Sequence, residues 1–182
     1  TKAGAAEVLG AMAFCAPRQL SQCLPQVVPQ LADALADAHP KVVTAAESAI
    51  NRIAAVVRSP EVRNLSRFLL AALRDPAGRT QGALDALLDT EFVHAIDPAS
   101  LSLLIPPLHR GLRDRSTEMK KRAAAIVGSM CNNVSNHEDV IPYLDLLLPD
   151  LRITLLDAIP DVRRTSALAL GALAVALGEK GL

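Results

Sequence analysis

The stretch RGLRDRSTEMKKR gathers Arg110, Arg113, Arg115, Lys120, Lys121 and Arg122 into one short segment. Cations clustered in this way can neutralise the phosphates of a nucleic acid, or they can pair with carboxylates of the fold itself. Asp114 and Glu118 lie in the same stretch, so the second use has partners at hand. Other chemistry lacks its constellation. His39, His94, His109 and His137 show no H-E-x-x-H or paired spacing, with one another or with Cys15, Cys23 and Cys131, so no zinc site is expected. There is no Gly-rich phosphate loop and no G-x-S-x-G elbow. Asp85 and Asp89, four apart, read as a solvated face of a helix. These residues predict no enzyme, no cofactor, no metal and no small-molecule substrate.

Whatever positions the cations has to be helical. The chain has 182 residues, of which 51% are hydrophobic and only 2% aromatic, dominated by Ala and Leu. That excludes a disordered chain and disfavours a β-sandwich or barrel. Lys+Arg 19 against Asp+Glu 19 leaves no net charge, so the chain as a whole is no nucleic-acid wrapper, although a local patch is compatible with neutrality. Three cysteines without C-x-x-C spacing predict reduced thiols and a cytoplasmic or nuclear setting. Residues 1–16 imitate a signal peptide, but Glu7 interrupts the apolar run and the chain opens on Thr1, which predicts a segment of a longer protein. The uncharged run Thr165 to Gly178 is shorter than the roughly 20 residues of a membrane helix, and no membrane contact is predicted.

A period organises the chain. Asp37, Asp75, Asp114 and Asp157 each follow an apolar run and are separated by 38, 39 and 43 residues, the spacing of HEAT-type repeats. Six residues before each stands Leu31, Leu69, Leu108 or Leu151, and two before it Leu35, Leu73, Leu112 or Leu155, which is one apolar stripe on one helix. Pro29, Pro106 and Pro149 recur eight residues before the aspartate, with Arg67 in the odd repeat, and predict a bend in the first helix of each pair. The second helices carry small residues in register at Gly10, Gly128 and Gly171. The pattern predicts an all-α, right-handed solenoid of about four and a half helical hairpins. Its units are residues 1–14, the second helix of a truncated repeat whose Val8, Leu9 and Met12 lack a partner, then 20–57, 60–95, 98–134 and 139–178. Asp97-Pro98 and Ser59-Pro60 read as helix starts. The repeat containing LLDTEFVHAIDP, where Glu91 and His94 break the stripe, predicts a shorter second helix and a longer connection.

The same register reinterprets the basic stretch. Lys120 and Arg163 lie six residues after Asp114 and Asp157, and Lys2 holds the equivalent place in the first unit, so a turn ladder of Asp114, Lys120, Asp157 and Arg163 is predicted within or between repeats. Side chains 100° apart cannot all face one partner. With Met119, Ala123, Ile126, Val127 and Met130 as the buried face, the surface candidates reduce to Arg110, Arg113, Arg115, Lys121 and Arg122.

The block LLDTEFVHAIDPASLSLLIPPLHRGLRDRSTEMKKRAAAIVGSMCNNV, residues 87–134, with IPYLDLLLPDL and DVRRTSALALGAL after it, resembles the central HEAT array of the general-control translational activators, and is similar to the HEAT domain of elongation factor three. The resemblance implies a cytosolic, ribosome-associated scaffold that helps a general-control kinase phosphorylate initiation factor two alpha under amino-acid starvation. It implies contact with ribosomal protein or RNA, while the kinase would dock in a more C-terminal region. No ATP-binding cassette sequence is present, so ATPase activity is not carried over. The alternative is a generic protein-binding HEAT scaffold, of the phosphatase-subunit or nuclear-import kind, with no ribosome contact.

Overall fold

Helix starts are written locally: six of the helices open with Pro in the first turn, where its missing N–H costs nothing. The computed structural model describes residues 1–134 and 136–178. Among these, α1 (Lys2–Cys15) is followed by four helical hairpins: α2 (Pro17–Ala34) with α3 (Pro40–Ala55), α4 (Pro60–Arg74) with α5 (Pro76–Leu88), α6 (Pro98–Leu112) with α7 (Thr117–Cys131), and α8 (Leu144–Leu155) with α9 (Pro160–Leu177). Two 3-10 turns, His137–Asp139 and Ile141–Tyr143, lead into α8. The only pairing of extended backbone among the described residues is an isolated parallel bridge between Ile96 and Val134. The architecture is an all-α solenoid. No helix among the described residues is long and apolar enough to cross a membrane.

The hairpins stack in two layers, and the stacking is uneven. In the layer of second helices, α1 packs along α3 and α7 along α9, with α5 against α7; in the other layer α6 contacts α2, α4 and α8. α2 therefore meets α6 directly, and among the described residues α3 and α5 touch too little to form a stacked pair. The α4–α5 hairpin packs on α6 and α7, with a smaller contact between α4 and α3. α6 explains the arrangement. It is apolar nearly all round, with Leu101, Leu103, Leu104, Ile105 and Leu108 fully buried, and such a helix must be enclosed. Its buried Ser102 Oγ donates to Ala99 O at 2.7 Å, so no polar atom is stranded.

Small residues set the closest approaches. A side chain on Gly10 would come within 2.9 Å of Ala49 Cα on α3, whereas at Gly128 the nearest atom, Ala169 Cα, is 3.5 Å away. Leu9 and Met12 are not left without partners as the sequence suggests: both pack against the core, because α3 covers α1, and of the large apolar side chains of α1 Val8 and Phe14 are the exposed ones, each 63% exposed. α5 is the shortest of the second helices, and residues 89–97 connect it to α6.

Candidate partner-binding edge

The turns joining the helices of a hairpin fall on one edge, and an aspartate builds most of them. Asp37 Oδ1 accepts from His39 N at 2.9 Å, Asp114 Oδ1 from Ser116 N at 2.7 Å and Asp157 Oδ1 from Ile159 N at 3.0 Å. This is the Asx turn, in which a short carboxylate replaces a backbone acceptor two residues upstream. Asp75 differs: α4 and α5 are joined through Asp75 alone, and its Oδ1 caps α5 by accepting from Gly78 N at 3.0 Å.

The second oxygen of two of these aspartates reaches the preceding repeat. Lys2 Nζ lies 2.8 Å from Asp37 Oδ2, and Lys120 Nζ lies 2.8 Å from Asp157 Oδ2. The hydrogen bonds from Lys2 and Lys120, with those from the following backbone, hold both carboxyls below the usual carboxylate range. The rungs run between repeats: Lys120 pairs with the next aspartate and not with Asp114, while Arg163 donates to the backbone oxygens of Asp157 and Ala158 at 2.9 Å each. At the two intervening levels the cation position holds Val43 and Gln81, so no charged rung can form there.

The basic stretch divides sharply once placed. Arg110, half-buried, donates to Ala72 O on α4 at 2.9 Å; burial lowers its basicity, with the charge of Asp33 opposing that shift. Arg122 is paired with Asp85 on α5 and with Glu118 at 3.0 Å, so Asp85 is a partner of α7 and not simply a solvated carboxylate. Its nearness to these carboxylates raises the guanidinium's affinity for its proton, the Glu118 hydrogen bond foremost. Lys121 stands 4.0 Å from Glu118. Arg113 and Arg115 are exposed, and among the described residues their side chains make no hydrogen bond or ion pair. Met119, Ala123, Ile126, Val127 and Met130 are all buried along α7.

On the opposite edge lies a brace that sequence reasoning missed. Glu61 Oε1 accepts from Val93 N at 3.2 Å, His94 N at 3.1 Å and pairs with His94 Nδ1 at 2.8 Å, while its Oε2 accepts from Ser59 Oγ at 2.9 Å. In return Asp97 Oδ1 accepts from Arg58 N at 3.2 Å and Ser59 N at 3.4 Å, and from Ser100 Oγ. Asp97 therefore starts α6 without capping its own backbone N–H groups, because its oxygen is taken by the α3–α4 turn. Ile96 N donates to Asn133 O at 2.8 Å, tying the same connector to the end of α7. Burial opposes the charge on Glu61, but the converging donors outweigh it and lower the carboxyl to about 2. The signal was the extended DTEFVHAIDP segment between helices. Its partner, Glu61, lies 33 residues from His94 and has no spacing rule to betray it.

Cys15, Cys23 and Cys131 are free thiols; Cys15 and Cys23 are exposed, and burial pushes the Cys131 thiol up to about 12. Such a thiol is inert as a nucleophile.

A two-layer helical array with aspartate turns and small-residue contacts is a HEAT-repeat scaffold, and the comparisons agree. The elongation factor 3/GNC1 HEAT repeat family matches residues 77–181, and the elongation factor 3 N-terminal HEAT repeat matches residues 1–50. The chain belongs to the elongation factor 3/GNC1 HEAT-repeat family. It is 50% identical over 185 residues to Protein ILITYHIA of Arabidopsis thaliana, 49% identical over 179 residues to the Stalled ribosome sensor GCN1 of Homo sapiens, and 48% identical over 180 residues to the eIF-2-alpha kinase activator GCN1 of Dictyostelium discoideum. These alignments cover 98%, 98% and 99% of this chain, and 7% of each relative.

Proposed function

We propose that this chain is a non-catalytic scaffold segment of a cytoplasmic translational activator, and that it contacts the ribosome through the α6–α7 turn. In the whole protein that contact would promote activation of the kinase acting on initiation factor two alpha, with the kinase held elsewhere. The observation that carries the reading is the near-full-length similarity to proteins named stalled ribosome sensor and eIF-2-alpha kinase activator. The geometry narrows the contact. Of the cations around the turn, Arg110 and Arg122 are committed to α4 and α5, leaving the Arg113 and Arg115 side chains without a partner among the described residues and Lys121 only loosely held. Arg110 gains little by turning outward, since the carbonyl of buried Ala72 would be left unsatisfied, and Arg122 would give up two carboxylate partners.

Ribosome co-sedimentation over a salt series tests this. Arg113→Glu, Arg115→Glu and Lys121→Glu together are expected to reduce the bound fraction at every salt concentration with the thermal melt unchanged. Sedimentation equal to that of the unaltered chain would remove the α6–α7 turn as the contact.

A further inference from the structure

Leu24, Pro25 and Pro29 of α2, Ile105 and Pro106 of α6 and Leu146 of α8 wall an apolar cleft of about 260 Å3. It exists because α2 meets α6 directly, bringing two proline-bearing helices side by side. Proline rings are rigid, and a cleft they line loses little conformational freedom when filled. One end of the cleft is formed by Asp33, His109 and Arg110. His109 and Arg110 also line the open depression that holds Arg113, Asp114 and Arg115. Cleft and basic turn are therefore one continuous surface, apolar at one end and cationic at the other.

The charges at the junction are mixed in sign. Asp33 and Arg110 both line it, and His109 Nδ1 lies 2.5 Å from Asp150 Oδ2. Free positive charge begins at Arg113 and Arg115, tempered by Asp114. This is small for a nucleic acid, where proteins commonly make about 6–10 phosphate contacts. Bases taken from a single strand also need aromatic faces to stack on. The one tyrosine near the cleft, Tyr143, is 4% exposed and offers no such face.

We propose that this surface takes an acidic, apolar segment of a protein: a leucine or phenylalanine side chain enters the cleft, and carboxylates next to it in sequence pair with Arg113 and Arg115. The assignment rests on the ribosome-contact reading for the role of the two arginines, and adds that their partner is protein and not RNA.

The probe is a fluorescent synthetic peptide carrying a leucine cluster followed by a run of glutamates, measured by anisotropy, with single-stranded RNA as a competitor. Leu146 is 38% exposed, so Leu146→Asp alters the cleft wall without opening the core, and Pro29→Glu does the same from the exposed surface of α2. Each variant, and Arg113→Glu with Arg115→Glu, should weaken the peptide about tenfold or more, the scale of one lost apolar or charged anchor. RNA should not displace it. The inference is overturned if the unaltered chain fails to bind the peptide, if only the arginine variants matter, or if RNA competes with the same dependence on the arginines. Ribosome co-sedimentation separates the two levels: loss with the arginine reversals but not with Leu146→Asp keeps the ribosome contact and removes the cleft from it.

Discussion

α7 and α9 stack as α1 and α3 do, while α3 and α5, the same kind of neighbours in sequence, do not. Both stacked pairs have a lysine-to-aspartate rung at the turn, Lys2 to Asp37 and Lys120 to Asp157, and a glycine facing an alanine of the next repeat. The unstacked level has Val43 in the lysine position and an Asp75 that caps a helix instead of making an Asx turn. Where side-chain stacking lapses, carboxylates take over: Glu61 and Asp97 cross-brace the α3–α4 turn and the α5–α6 connector. The array is thus held in two ways, by close repeat-on-repeat packing at its ends and, in its middle, by polar links that include this brace and the bonds of Arg110 to α4 and Arg122 to α5. The displaced middle is also what sets α2 against α6 and opens the cleft beside the basic turn.

The strongest way to break that contrast is to remove the brace. Glu61→Ala leaves the Val93 and His94 N–H groups without their acceptor and should cost about 1.5–3 kcal/mol, as for hydrogen bonds to a charged group. Its pH dependence has a defined sign. The Glu61 carboxyl titrates at about 2 in the fold against 4.5 when unperturbed, so its contribution is complete above the higher value and is lost as pH falls through the lower. Acid unfolding of the unaltered chain should therefore show a stability loss between these values that is absent from Glu61→Ala, measured by denaturant melts across the acid range.

Two glycines test the packing half of the comparison. Gly10→Ala forces a methyl group to within 2.9 Å of the Ala49 backbone and should destabilise the fold by about 1–3 kcal/mol, the usual cost of overpacking. Gly171→Ala occupies the same register on α9, where nothing lies within 4 Å, and should stabilise by about 0.5–1 kcal/mol through helix propensity alone. Equal effects in thermal melts would show that the stacked contact at Gly10 does not constrain the array.

The smallest effect belongs to the rung. Lys120 and Asp157 are largely but not fully covered, their side chains 21% and 11% exposed, so Lys120→Ala should lower Tm by no more than about 3 °C. Below the range in which Asp157 ionises, the variant and the unaltered chain should melt alike, because protonation removes the same pair.

The sequence made the solenoid legible because its code is local. An aspartate builds its own turn two residues on, and leucines four apart share a helix face whatever surrounds them. The rung was also legible as a spacing, although its direction from repeat to repeat needed the stack. The brace was not. Glu61 finds backbone N–H groups, and a backbone donor leaves no mark in residue type. The same reason hid the commitment of Arg110 to Ala72 O, and the displaced hairpin hid the pairing of Arg122 with Asp85. Two of the five surface cations read from the sequence are thereby drawn into the fold, which concentrates the candidate contact on Arg113 and Arg115 with Lys121 beside them.

Amide hydrogen exchange of the chain, free and bound to ribosomes, reads the basic turn and the braced connector in one experiment. Exchange at residues 113–116 should slow on binding, with residues 92–96 of the braced connector unchanged. Protection appearing at the connector, with the α6–α7 turn exchanging as in the free chain, would contradict contact through that turn.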